Sequence, residues 1–128
     1  MFFFFLDPKT MPVFGPEMER FERVLDVARE VDPRMAVGTL AAFVYIARRL
    51  APMAEGSENL RKIAKEMDIP YPSFLRHTDV LAEGISKMEG LGMLEKGPHP
   101  DDRRARQVRL TEKGLETLRK IECILQNS

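Results

Sequence analysis

The sequence predicts an α+β domain that is mostly helical, with a β-hairpin near its C-terminal end. Apolar residues recur at helical spacing in segments separated by proline and glycine. One short stretch, Arg106-Gln107-Val108-Arg109-Leu110, alternates with a period of two instead, as a half-buried strand does. Turn formers (Gly97, Pro98, His99, Pro100, Asp101, Asp102) separate it from residues 93–96, which can supply the partner strand. A chain of 128 residues with 44% hydrophobic content can bury one core. The expected organisation is therefore an irregular arm, 1–16, followed by one domain, 17–128.

The arm opens on Met1-Phe2-Phe3-Phe4-Phe5-Leu6, far shorter than the ~20 apolar residues that cross a bilayer. It also lacks the basic flank and small-residue cleavage site of a signal peptide. It reads either as an arm packing on a partner subunit or as an extension upstream of Met11. Pro16 suits a first helical position, and apolar residues at 18, 21, 24, 25, 28 and 31 define an amphipathic helix over 17–31. Asp32-Pro33 suggests an N-cap and restart, with a helix over 33–50 that is apolar nearly all round and so buried as a strut. Arg48 and Arg49 near its end complement the helix dipole.

Ser57 is placed to cap a short helix to Met67 that buries Leu60, Ile63 and Ala64. Asp68-Ile69-Pro70-Tyr71-Pro72 then forces a turn, because residues before proline avoid the helical region. A longer helix is expected over 72–90, capped by Ser73 and turned inward at 74, 78, 81, 85 and 88, with Gly84 weakening its middle. A short helix, a tight turn and a longer helix make a helix-turn-helix. Thr111 is the natural N-cap of the last helix, with Glu112 in its first turn and Leu115, Leu118, Ile121, Ile124 and Leu125 on one face. The apolar stripes of helices 17–31 and 111–126 are natural dimerisation surfaces.

Between positions 96 and 113 stand six basic residues (Lys96, Arg103, Arg104, Arg106, Arg109, Lys113) against three acids, on a chain of net charge zero. That is the footprint of a phosphate-contacting element, and equally that of a solvated charged hairpin.

Residue order adds to this. Met88-Glu89-Gly90-Leu91-Gly92-Met93, Pro100-Asp101-Asp102-Arg103-Arg104 and Leu110-Thr111-Glu112-Lys113-Gly114 follow one another here. They resemble the wing of the MarR family of winged helix-turn-helix transcription regulators. In that family a helix ends in L-E-x-x-G-L, a strand leads to P-x-D-x-R, and a second strand runs into L-T-x-x-G. The resemblance implies a dimeric, sequence-specific DNA-binding regulator of double-stranded DNA, with a recognition helix in the major groove and a basic wing at the minor groove. It implies that Arg104 enters or lines the minor groove and that Asp102 positions the wing's arginines, with Arg103 and Arg106 approaching groove and backbone.

Base edges are usually contacted from the N-terminal part of a recognition helix, which points to Tyr71, Ser73, Arg76 and His77. Arg76 leads, since arginine pairs with guanine through two hydrogen bonds. Lys62, Lys65 and Lys87 are candidates for phosphate contacts, which position without specifying sequence. Asp79 and Glu83 oppose this picture unless they pair with Arg76 or Lys87 at helical spacing. Counted back from the wing, the family's recognition helix would begin near Asp79, leaving Arg76 in an inserted loop over 71–78. The family's second C-terminal helix has no counterpart, and the Phe-rich arm could substitute for it. Net neutrality and a pI near 6.7 keep a second class open: a winged-helix module that binds protein rather than DNA.

The remaining residues read more plainly. Cys123 lies mid-helix beside Glu122, where an acidic neighbour disfavours the thiolate, so packing accounts for it better than redox chemistry. A single cysteine excludes an internal disulfide and suits a reducing, cytoplasmic setting. His77 and His99 show no ligand spacing, so no metal or cofactor is expected. No Gly-rich phosphate loop or nucleophile elbow occurs, so an enzyme is not expected. The eight methionines fit a pliable core or a small-molecule effector pocket between helices, with core packing the plainer account.

Overall fold

In the computed structural model, which describes residues 15–50, 58–84, 89–98 and 106–126, helices surround a small antiparallel sheet. Helix α1 (Pro16–Val31) opens at its proline, with Glu17 and Glu19 favourably placed in the first turn. Only part of its apolar stripe is turned inward. Val24, Val27 and Ala28 are buried, whereas Met18 and Phe21 are 50% and 56% exposed.

Helix α2 (Val37–Leu50) starts later than position 33, for a local reason. The Asp32 carboxylate accepts the Arg34 N–H (3.0 Å) and its carbonyl accepts the Met35 N–H (3.0 Å). Asp-Pro therefore closes a turn, and the first helical turn comes after it. The strut itself is as expected, with Ala42, Phe43, Ile46, Ala47 and Leu50 buried. At its end Arg49 donates to Glu66 (3.1 Å) and to the Tyr45 carbonyl (3.2 Å), tying α2 to the helix that follows.

Strand β1 (Glu58–Asn59) is too short to leave a periodicity in the sequence. Asn59 also caps helix α3 (Leu60–Glu66): its side-chain oxygen accepts the N–H groups of Arg61 (2.8 Å) and Lys62 (3.2 Å). Ser57, the cap expected from the sequence, lies outside the described residues. Past the end of α3, Asp68 takes a left-handed conformation (φ 56°). Its N–H reaches the Lys65 carbonyl (3.2 Å) and the Ile69 N–H reaches that of Ala64 (3.0 Å), the paired bonds of a Schellman cap.

Helix α4 (Tyr71–Leu81) begins at the early position, so Arg76 is helical and Ser73 sits in the first turn rather than at the cap. It stops well short of position 90. Gly84 adopts φ 100°, and the chain then turns back along the helix end. The N–H groups of Leu91, Met93 and Gly92 bond to the carbonyls of Val80 (3.0 Å), Leu81 (2.8 Å) and Ala82 (3.0 Å), which a longer helix would have used itself. Gly90 passes so close that a Cβ there would lie 2.2 Å from the Ala82 oxygen.

Strands β2 (Leu94–Pro98) and β3 (Arg106–Leu110) form the expected hairpin, with Leu94 opposite Leu110 and Pro98 opposite Arg106. Strand β1 adds to the other side of β3, giving the order β1-β3-β2. Thr111 caps helix α5 (Glu112–Gln126) as the sequence predicts: its hydroxyl accepts the Gly114 N–H (3.0 Å) and donates to the Gly92 carbonyl (2.6 Å). In α5, Ile121 and Ile124 are buried, and the helix packs against α1, but Leu125 is 51% exposed. The core is shared by α2, α3, α4 and the sheet, through Phe43, Ile46, Leu60, Ile63, Phe74, Leu81 and Val108.

Candidate nucleic-acid interface

Helix α4 sorts its residues by face. Phe74, Thr78 and Leu81 follow helical spacing inward and are fully buried, the Thr78 hydroxyl being satisfied by the Leu75 carbonyl (2.8 Å). Pro72, Ser73 and Arg76 are exposed on the opposite side. Tyr71 is half-buried at the start of the helix, packed on the core, with the Arg61 guanidinium 4.2 Å above its ring. That contact brings α3 and α4 together through a cation over an aromatic face. Arg61 was not among the residues singled out from the sequence, because a stack between two helices leaves no spacing signal. Lys62 and Lys65 are exposed along α3.

His77 departs from expectation. Its Nδ1 lies 3.0 Å from the Thr39 hydroxyl, and its ring sits where a Cβ on Gly38 would be 2.6 Å away. The imidazole is thus engaged with the N-terminal turn of α2.

The acid on α4 is also accounted for. Asp79 forms an ion pair with Lys96 of β2, and the Lys96 side chain is only 4% exposed. Lys96 stands opposite Val108, on the sheet face turned to the core. Leu94-Glu95-Lys96 alternates, so the inward position of this lysine was readable beforehand. Lys113 donates to the Leu91 carbonyl (2.8 Å) at the root of the hairpin. Two of the six basic residues counted on this segment are therefore engaged within the fold, while Arg109 is exposed on the outer face and Arg106 opens β3. Lys87, Asp102, Arg103 and Arg104 lie outside the described residues.

Among the described residues, no cluster of His, Cys, Asp and Glu could hold a metal ion, and no helix is long and apolar enough to cross a membrane. What the geometry brings together is a helix-turn-helix with an outward polar face and a hairpin held against the same helix.

No protein-family model matches the sequence, and a search of curated proteins finds no match. The fold, however, is shared with solved structures. A mutant MarR from E. coli complexed with operator DNA is 14% identical, with a TM-score of 0.56 over 91% of this chain and 80% of that one. The transcriptional repressor CouR bound to a 23-mer DNA duplex is 22% identical, with a TM-score of 0.58 over 84% of this chain and 66% of that one. BpsR of Bordetella bronchiseptica, whose DNA binding is regulated by 6-hydroxynicotinic acid, is 17% identical, with a TM-score of 0.51 over 84% and 73%. By fold, this chain is a winged helix of the MarR type.

Proposed function

We propose that this chain is a dimeric, sequence-specific DNA-binding transcription regulator, with α4 in the major groove and the β2–β3 wing at the minor groove. The observation that carries the reading is the exposed face of α4. Ser73 and Arg76 point outward while Phe74 and Leu81 are buried and Tyr71 and Leu75 pack against the core, on a fold whose solved examples include two holding DNA. Arg76 is the base-reading residue, and Arg61, stacked on Tyr71, together with Lys62, Lys65 and Arg109, supplies backbone contacts. In the wing tip, Arg103, Arg104 and Arg106 approach the minor groove and Asp102 orients them.

The dimer would form through the apolar residues that α1 and α5 leave exposed. A cleft of about 690 Å³ between the α1–α2 turn and the start of α5, lined by Val31, Met35, Thr39, Leu91 and Lys113 among others, is where a small-molecule effector would fit. Zero net charge and exposed Glu83 at the end of α4 favour the competing reading, a winged helix that binds protein.

Salt separates the two readings. A protein that neutralises several phosphates loses affinity steeply as ionic strength rises. Anisotropy titrations of mixed-sequence duplex at two salt concentrations should show such a loss for the parent and weaker binding for Arg104→Ala. On a selected site, Arg76→Ala should cost about 1–3 kcal/mol and relax the preference for one base. No binding by the parent at low salt would leave the protein-binding module as the better account.

A further inference from the structure

We propose that Lys96 and Asp79 are positioning residues: their ion pair fixes the direction of the wing relative to α4. The inference deepens the DNA-binding reading and rests on it for its functional consequence. The geometry begins at the root of the hairpin, where the Met93 N–H is bonded to the Leu81 carbonyl at 2.8 Å. With its neighbours at Leu91 and Gly92 this bond holds the root, but it leaves the tilt of the hairpin against α4 to be set further out. Lys96 lies three residues further along β2, roughly 10 Å out at the usual rise per residue. Its bond to Asp79 gives β2 a second anchor on the same helix, and two anchors define a direction.

Elsewhere the sheet rests on α2, α3 and α5 chiefly through β3, and beyond buried Leu94 the outer part of β2 is held by its pairing with β3 and by Lys96. The chemistry fits this role better than simple filling. The inward face of an edge strand would ordinarily carry an apolar residue, whose contacts are non-directional and permit sliding. An ammonium with a 4% exposed side chain has its acceptor in the Asp79 carboxylate, and a buried charge without a partner is costly. The pair therefore selects one tilt. It also neutralises Asp79, so that this carboxylate does not oppose phosphate.

The test uses the full chain, with Asp79→Asn and Lys96→Met. The second variant leaves no buried charge and fills the same space, so it folds even where the first is poorly stable. The first readout needs no DNA: amide hydrogen exchange in β2 and β3, compared with α2. Loss of the latch should speed exchange in the hairpin by about tenfold while α2 keeps the parent's rates. The second readout is duplex affinity across a salt series. Both variants should bind about tenfold more weakly with the salt slope unchanged, since no phosphate contact has been removed.

Exchange that rises equally in all elements, or not at all, overturns the proposal in favour of general stability. So does tighter binding by Asp79→Asn, which would make Asp79 a simple repeller of phosphate. A salt slope reduced by about one in Lys96→Met would reassign that lysine to the backbone. If the parent binds no DNA, the regulator reading falls, yet selective exchange in the hairpin still upholds the latch and uniform exchange still removes it.

Discussion

At Gly114 the absence of a single methyl group decides whether α5 can dock. A Cβ there would stand 2.1 Å from the Met93 carbonyl oxygen, a backbone atom with no freedom to rotate away. Gly114→Ala should lower stability by about 1–3 kcal/mol in urea unfolding, the usual range for overpacking a tight contact. An unchanged midpoint would mean that helix and strand root can separate at no cost. Single residues were legible where one local rule governs them. Thr111 was readable as a cap, while Gly114 was marked only by the family resemblance. His77 was not, because it lies on the helix between inward Phe74 and Thr78 and outward Ser73 and Arg76. Which neighbour claims such a side residue depends on α2, whose proximity no spacing within α4 reports.

The same division runs through the elements. The hairpin was readable because alternation and turn formers act within a few residues. Strand β1 was not, since two residues show no period and only pairing with β3 makes them a strand. The end of α4 was misjudged because Ile85 and Met88 continue the helical spacing. The true stop comes from carbonyls taken up by a returning chain, with Gly84 the single local hint. Counting back from the wing misplaced the start of α4 for the same reason. Between α3 and α4, Asp68 holds a positive φ that most side chains resist. Asp68→Gly should leave stability within about 1 kcal/mol of the parent, while Asp68→Val should lose about 1–2 kcal/mol in thermal or urea unfolding. Equal losses in both would show that the carboxylate, not the backbone, matters there.

For the molecule as a whole, α1 packs against α5, and the end of α1 shares a groove with the first half of α5: Val27 and Glu30 with Lys113, Glu116 and Lys120. Met18 and Phe21 near the start of α1 and Leu125 near the end of α5 stay exposed. Exposed apolar residues of this kind suit an association surface. Sedimentation of Phe21→Glu should show a shift from dimer towards monomer with the helical circular-dichroism signal retained. A parent that sediments as a monomer at high concentration would remove the dimer from the proposal. The winged-helix architecture was largely visible beforehand, because patterning within each segment agrees with the fold. The candidate site was visible only in part, since Lys96 and Arg61 acquire their contacts from neighbouring elements.

The join between α4 and the hairpin has one more consequence, for how this protein can change in descent. The Gly90 N–H reaches the Glu83 carbonyl (3.1 Å), so positions 83 and 90 are held at almost the same point. Lengthening a closed loop costs only ~0.6 kcal/mol for each doubling. Residues can accordingly be gained or lost between these two positions while helix and hairpin keep their places. Related chains should therefore differ in length at this junction more readily than within the turn between α3 and α4.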